Sequence, residues 1–62
     1  MAYLTVDLDG TEIVWDRRPH RNSFGSWEYD EKNPCCFVEL PNGTIKKITG
    51  EDMIFDDDPV KI

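Results

Sequence analysis

Aromatic and basic side chains concentrate around one loop near the middle of the chain. Aromatic rings offer flat apolar area at a small entropic cost, and guanidinium groups offer planar charged donors. This pairing is enriched at protein-binding hot spots. The predicted binding surface consists of Trp15, Arg17, Arg18, Arg21, Trp27 and Tyr29, with His20 and Phe24 in the same segment. The competing interpretation is that the aromatic rings fill the core.

The same segment has a second interpretation as a binder of single-stranded nucleic acid. The loop from Arg17 to Arg21 would bind phosphates, while Trp27 and Tyr29 would stack on bases. Against this, the chain carries 13 acidic residues and a net charge of -6. Such a balance disfavours broad affinity for nucleic acid or anionic membranes. We therefore rank nucleic acid below a protein as the expected partner.

Acidic residues concentrate near the end of the chain. The patch comprises Asp52, Asp56, Asp57 and Asp58. It lacks the alternating acids, the glycine and the closing glutamate of a calcium-binding EF-hand loop. A solvated turn that stops at Pro59 is the simplest interpretation. As an alternative function, the patch could occupy a basic groove of a partner, as acidic inhibitors that mimic DNA do.

Residues with metal-binding or catalytic chemistry are few. Cys35 and Cys36 are adjacent, so on a strand they point to opposite faces, whereas structural zinc sites prefer cysteines two to four residues apart. The single histidine, His20, has no serine or cysteine at a spacing that implies a catalytic dyad. We predict no metal, no cofactor and no enzymatic activity. Both cysteines are predicted to be reduced, which together with the absence of a signal-like or membrane-spanning apolar run predicts a soluble cytoplasmic protein with no membrane partner.

Short strand patterns alternate with turn signals along the whole chain. In chain order they predict strands at 3–8 and 11–15 around an Asp9-Gly10 turn, a surface loop at 16–23, a strand at 24–29, a turn at 30–34, a hairpin at 35–48, one turn of 3₁₀ helix at 49–52 and a final strand at 60–62. Alternation places Leu4, Val6 and Leu8 on one face of the first strand. This spacing is typical of small all-β domains.

The strongest single pattern is the predicted hairpin at 35–48, closed by Pro41-Asn42-Gly43. A three-residue loop would place Val38 opposite Lys46, and we favour it because the two-residue alternative needs an N–H that Pro41 lacks. The two-residue Asn42-Gly43 loop would instead place Glu39 opposite Lys46. In either register Lys46 and Lys47 lie on opposite faces, so one lysine must lie at a rim or run its stem along apolar surface.

Length and composition predict one domain spanning 1–62. Leu, Ile, Val and Phe make up about a quarter of the 62 residues, above the roughly 20% below which a charged chain stays disordered. A chain of this size buries only a small core, and self-association is one common remedy. A barrel hides strand edges, so the predicted fold is a small all-β antiparallel barrel of five or six strands, with an SH3-like plan.

The segment Leu40-Pro-Asn-Gly-Thr-Ile-Lys-Lys-Ile-Thr-Gly50 and the ending Asp57-Asp-Pro-Val-Lys-Ile62 resemble short accessory proteins that phages and other mobile elements of bacteria carry. The resemblance covers about the last third of the chain. It implies a compact accessory protein that binds a host protein. The expected function is thus a small, non-enzymatic protein-interaction module.

Overall fold

The computed structural model describes residues 2–62 as two antiparallel sheets and one short helix. The elements are β1 (Tyr3–Val6), β2 (Glu12–Trp15), β3 (His20–Arg21), β4 (Trp27–Glu28), β5 (Phe37–Leu40), α1 (Thr44–Thr49) and β6 (Val60–Lys61). The larger sheet has the order β5-β2-β1-β6, and β3 pairs with β4. Neither sheet closes within these residues, so the predicted SH3-like barrel is wrong. The same residues contain no helix with the length and apolar composition of a membrane span.

The opening hairpin forms as the alternation and the Asp9-Gly10 signal predict. Strand β1 pairs with β2 in a register that places Val6 opposite Glu12. The loop is one residue longer than predicted, because Asp7 N–H donates to the Thr11 carbonyl and the Gly10 N–H donates back to the Asp7 carbonyl. Gly10 has a φ of 92°, a left-handed conformation that glycine adopts without strain.

The predicted hairpin at 35–48 is wrong in either register, because residues 44–49 form helix α1 and β5 pairs with β2 instead. Gly43 does adopt the left-handed conformation, but it turns the chain into the helix. Ile45 is buried against Leu4 and Val6 on the sheet. The helix leaves both Lys46 and Lys47 exposed. A strand would instead have pointed these adjacent lysines to opposite faces.

Helix α1 is held at its start by a carboxylate from the sheet. Glu12 on β2 is buried, and its two oxygens accept the backbone N–H groups of Gly43 at 2.6 Å and Ile45 at 2.7 Å. The first N–H groups of a helix have no partner within the helix, so a carboxylate there accepts their hydrogen bonds. Its negative charge also interacts favourably with the positive end of the helix dipole. At the other end Gly50 is left-handed and donates to the Lys46 carbonyl at 2.7 Å. The chain leaves α1 there, and the predicted 3₁₀ turn at 49–52 is wrong.

The larger sheet carries a small core on each face. On one face Leu4 and Val6 pack with Ile45 of α1, with Val14, Leu40 and Met53 at the margin. On the other face Ile13 and Trp15 pack with Trp27 of the smaller sheet, with Tyr3, Cys35 and Phe55 at the margin. The smaller sheet and the C-terminal segment therefore cover the face that α1 leaves open.

The middle and end of the chain form shorter strands than the pattern predicts. The predicted loop at 16–23 contains β3, and only Trp27 and Glu28 of the predicted strand at 24–29 belong to β4. The final strand forms as predicted, since Val60 pairs with Leu4. Beyond this pair, Ile62 and Ala2 exchange two backbone hydrogen bonds.

Candidate functional site

Two loops meet at one end of the sheet and bring apolar side chains to the surface. The turn between β1 and β2 and the loop between β3 and β4 are joined by a hydrogen bond of 2.8 Å from Leu8 N–H to the Gly25 carbonyl. A Cβ atom at Gly25 would lie 3.0 Å from the Leu8 Cβ, and the φ of Gly25 is 85°. Glycine is required here for both reasons. Leu8 itself is exposed, whereas Leu4 and Val6, with which alternation groups it on one face, are buried.

The β3–β4 loop presents Phe24 to solvent on a fixed backbone. The Asn22 side-chain oxygen accepts the N–H groups of Phe24 at 2.9 Å and Ser26 at 3.1 Å, and the Asn22 amide donates to the Ser26 hydroxyl. A backbone hydrogen bond from Asn22 to Ser26 closes the loop. Phe24 is 91% exposed at its tip. The loop is thus ordered by polar bonds that do not depend on burying the phenyl ring.

The C-terminal segment adds a third exposed apolar side chain beside Leu8. Ile54 is exposed, and its N–H donates to the Asp57 carboxylate at 3.0 Å. A cavity of about 250 Å³ lies between the β1–β2 turn and this segment, lined by Val6, Asp7, Leu8, Gly10, Met53, Ile54, Phe55 and Asp56. We call the end of the molecule formed by Leu8, Phe24 and Ile54, with Asp7, Asp9 and Asp56, the tip surface.

The acids of the tip surface differ in their environments. Burial raises the pKa of Asp7, and the charges of Asp9 and Glu39 raise it further, although a hydrogen bond from the Trp27 backbone opposes them. One Asp7 oxygen is buried and has no hydrogen-bond partner within residues 2–62. Asp9 is fully exposed, and the Thr11 N–H that its carboxylate accepts at 2.9 Å lowers its pKa. The tip surface therefore combines apolar side chains with neighbouring acids, of which Asp9 is fully exposed and Asp7 is partly buried.

Arg21, a residue of the predicted binding surface, is used inside the molecule. Its guanidinium donates twice to the Phe55 carbonyl, at 3.0 and 3.2 Å, and once to the Asp57 carbonyl at 3.1 Å. It also lies 4.6 Å from the centre of the Trp27 ring and 5.2 Å from that of Phe55. These contacts tie β3 to the C-terminal segment that carries Ile54. Arg21 positions the tip surface rather than forming part of it.

The two tryptophans of the predicted surface lie in the core. Trp15 is 2% exposed and donates from its indole nitrogen to the Thr5 hydroxyl at 2.8 Å. Trp27 is 7% exposed and donates to the Val6 carbonyl at 2.9 Å. Both indoles thus satisfy their one polar group on strand β1. Tyr29 is 38% exposed, so it is the one aromatic residue of that predicted set with a substantial free surface.

Among residues 2–62, Arg21 is the only basic residue of the loop with a cation–π contact to a tryptophan ring. Arg17 and Arg18 are exposed, and neither side chain makes a hydrogen bond or ion pair within residues 2–62. His20 lies 3.1 Å from the Glu28 carboxylate across the β3–β4 pair. The structure therefore brings Arg21 and Trp27 together but does not gather the predicted residues into one exposed surface.

The predicted acidic patch is divided among different contacts. Asp52 lies 3.7 Å from Lys46 in an exposed ion pair, and the Asp57 carboxylate accepts a hydrogen bond from the Ile54 N–H. Asp56 lines the cavity beside Leu8, and Asp58 is exposed. Asp56 is the member that reaches the tip surface.

The cysteines do not combine into a site. Cys35 is half-buried and Cys36 is exposed, and both are free thiols. Burial raises the pKa of Cys35, and the nearby Asp16 charge raises it further, which lowers the fraction of reactive thiolate. In the part of the chain that the structure describes, no three His, Cys, Asp or Glu side chains are grouped as a metal site would need.

Five of the six tip-surface residues are not among the predicted site residues: the apolar Leu8, Phe24 and Ile54, and the acids Asp7 and Asp9. Alternation places Leu8 on one strand face with Leu4 and Val6, Ile54 belongs to no predicted site, and Phe24 lies in the predicted binding segment without being one of its site residues. The available signals were local: Asp9-Gly10 indicated one turn, and Gly25 indicated a bend after Phe24. Neither signal says that the two loops meet. Comparison with protein-family models, curated proteins and solved structures found no match for this chain.

Proposed function

We propose that this protein is a small, non-enzymatic protein-interaction module that binds a partner protein through the tip surface. The observation that carries the proposal is the exposure of Phe24 on a loop that Asn22 holds in one conformation. A large apolar side chain on an ordered loop offers contact area without a large ordering cost on binding. Leu8 lies beside Phe24 in one surface cleft and beside Ile54 in another, so both residues extend this area.

The charges around the tip surface indicate the chemistry of the partner. Interfaces commonly have an apolar centre and a polar rim. Here the neighbouring charges are negative, since Asp7, Asp9 and Asp56 line the same clefts as the apolar residues and the whole chain has a net charge of -6. A complementary partner offers an apolar pocket for Phe24 with lysine or arginine around it. Such charges speed the encounter and orient it.

The resemblance of the C-terminal third to accessory proteins of phages and mobile elements adds a proposed context. In that context the partner is a bacterial host protein, and binding adjusts or inhibits its activity. This part of the proposal depends on the resemblance, whereas the binding surface depends on Phe24 and its neighbours.

The proposal is tested by comparing immobilised wild type with Phe24→Ser and with the control Ile48→Ser, using a bacterial lysate. Ile48 lies on α1, is 53% exposed and belongs to no part of the tip surface. We expect a protein retained in stoichiometric amount by the wild type and by Ile48→Ser. Phe24→Ser should weaken the affinity of the purified partner at least about tenfold, as the loss of a hot spot does.

Two results would contradict the proposal. Equal retention by Phe24→Ser and the wild type would show that the tip surface does not bind the partner. Retention of single-stranded nucleic acid at low salt, lost on replacing Arg17 and Arg18 with alanine, would favour the nucleic-acid alternative. Nucleic-acid binding would also weaken steeply with salt.

A further inference from the structure

Strand β5 lies at an edge of the larger sheet and pairs with β2 on one side only. The Asp16 N–H donates to the Cys36 carbonyl at 3.1 Å, and the same register continues through Val38. Hydrogen-bonded positions alternate along an antiparallel pair. The backbone groups of Val38 therefore point toward β2, and those of Phe37 and Glu39 point away from the sheet.

The opposite edge of the sheet is protected. Strand β6 covers the start of β1, and beyond it the Trp27 indole donates to the Val6 carbonyl. The next outward group, the Leu8 N–H, is satisfied by the β3–β4 loop. Strand β6 itself has two residues, one of them Lys61, and short charged edges resist further pairing. Strand β5 has neither a lysine nor a proline.

The free groups of β5 are arranged symmetrically about Val38. A second β5 running antiparallel, with Val38 opposite Val38, would place Phe37 of each copy opposite Glu39 of the other. Both of these would be hydrogen-bonded pairs, and each such pair exchanges two hydrogen bonds. This one register satisfies every outward backbone group of Phe37 and Glu39 in both copies. It also buries Val38, which is 60% exposed in a single copy.

We propose that β5 is a self-association edge, through which two copies of this chain pair about a two-fold axis at Val38 to form one continuous eight-stranded sheet. A second copy fits this edge because the edge is self-complementary in a single register. Glu39 is the one charged residue of β5. In the proposed register the two Glu39 residues are offset by two positions. Strand spacings then put them at a separation of about 8 Å. At this distance physiological salt screens much of the repulsion between the two carboxylates.

Pairing of this kind also suits the size of the domain. A chain of 62 residues buries a small core, and small domains commonly gain stability by association. Strand β5 contributes no residue to the tip surface, so a dimer would carry two free tip surfaces. The inference is therefore independent of the proposed function.

The first test is the mass of the protein in solution by analytical ultracentrifugation, from about 1 µM to 1 mM, a range that covers weak to moderate dimers. We expect a reversible dimer for the wild type. Val38→Lys should weaken dimerisation at least about tenfold, since an edge lysine opposes pairing. Ile48→Lys is the matched control, with the same substitution at a similar exposure on α1, and should dimerise as the wild type does.

The second test concerns the register. Val38→Cys is made in a Cys35→Ser, Cys36→Ser background, and Ile48→Cys in the same background is its control. Facing residues of a non-hydrogen-bonded pair lie within disulfide distance. Under mild oxidation Val38→Cys should therefore form a covalent dimer much faster than Ile48→Cys.

Three results would overturn the proposal. The first is a wild type that stays monomeric to about 1 mM, near the weakest affinities that such measurements resolve. The second is a Val38→Lys variant that dimerises as tightly as the wild type. The third is equal crosslinking of Val38→Cys and Ile48→Cys. If a peptide of alternating lysine and valine binds β5 while the protein alone remains monomeric, the edge accepts a foreign strand rather than a second copy.

Discussion

The carboxylate of Glu12 is the feature whose removal should affect the fold most directly. It is buried between β2 and α1 and accepts two backbone N–H groups, at 2.6 and 2.7 Å. In Glu12→Gln the side chain has almost the same shape, but its oxygen can accept one N–H while its NH₂ group faces the other. The variant therefore loses one hydrogen bond to a charged acceptor and weakens the second.

The expected loss follows from the worth of such bonds. A hydrogen bond to a charged group contributes about 1.5–3 kcal/mol, so Glu12→Gln should lower the free energy of unfolding by about 2 kcal/mol. For a domain of this size that corresponds to a fall in Tm of about 8–16 °C. Glu12→Ala, which removes both acceptors, should lose more.

Thermal and urea unfolding, followed by far-UV circular dichroism and tryptophan fluorescence, measure this loss. Glu31→Gln is the matched control, because Glu31 is exposed and such surface changes are usually within about 0.5 kcal/mol of neutral. Amide exchange at Ile45 should also accelerate more in Glu12→Gln than exchange in the centre of β1. A Glu12→Gln protein within about 0.5 kcal/mol of the wild type would refute the view that this carboxylate holds α1.

Two further predictions concern the residues that support the tip surface. Because the pKa of Asp7 is raised, the folded state binds more protons than the unfolded state between the ordinary and the raised value, and stability falls as the pH rises through that window. Asp7→Asn should raise Tm by about 2–4 °C at pH 7, about 0.5 kcal/mol after allowance for partial solvation. The gain should vanish near pH 3, where both side chains are neutral, and a gain that persists there would contradict the electrostatic explanation. Arg21→Lys should lower the free energy of unfolding by about 1 kcal/mol, because an ammonium group cannot reproduce the paired hydrogen bonds to the Phe55 carbonyl or the stacking on Trp27. Urea unfolding measures this loss, with Arg18→Lys as the control. Equal stabilities of the two variants would refute the prediction.

Local chemistry accounts for the parts of the fold that the sequence predicts correctly. The β1–β2 hairpin follows from alternation and from Gly10, whose left-handed conformation closes the loop. The last strand likewise follows from a short alternation after Pro59. In each case the residues that determine the element lie next to one another in the chain.

The errors arise where distant residues decide the structure. The segment 44–49 has strand-like composition, but its helix is held by Glu12, which lies 31 and 33 positions away from the groups that it accepts. Because that segment forms α1, β5 pairs with β2 alone and neither sheet closes within residues 2–62. Tertiary contacts of this kind routinely override local propensity.

The sequence could predict the kind of site, a surface that includes an aromatic side chain, but not which residues form it. Tryptophan serves cores and interfaces alike, and only the hydrogen bonds to Thr5 and Val6 assign Trp15 and Trp27 to the core. The sequence alone does not show that Arg21 has an internal partner, because the Phe55 carbonyl to which it donates lies 34 positions away. The exposure of Phe24 depends on how two loops meet, which no local pattern encodes.

The pairing of β1 with β6 has a consequence for synthesis of the chain. Leu4 lies on an inner strand of the sheet, yet its partner Val60 lies far along the chain from it. At about 5–20 residues per second, a ribosome needs about 3–11 s to travel from one to the other. Throughout that interval the nascent chain can complete the β1–β2 hairpin but not the pairing of β1 with β6, so the sheet gains its outer strand only after residues 60–61 have been made.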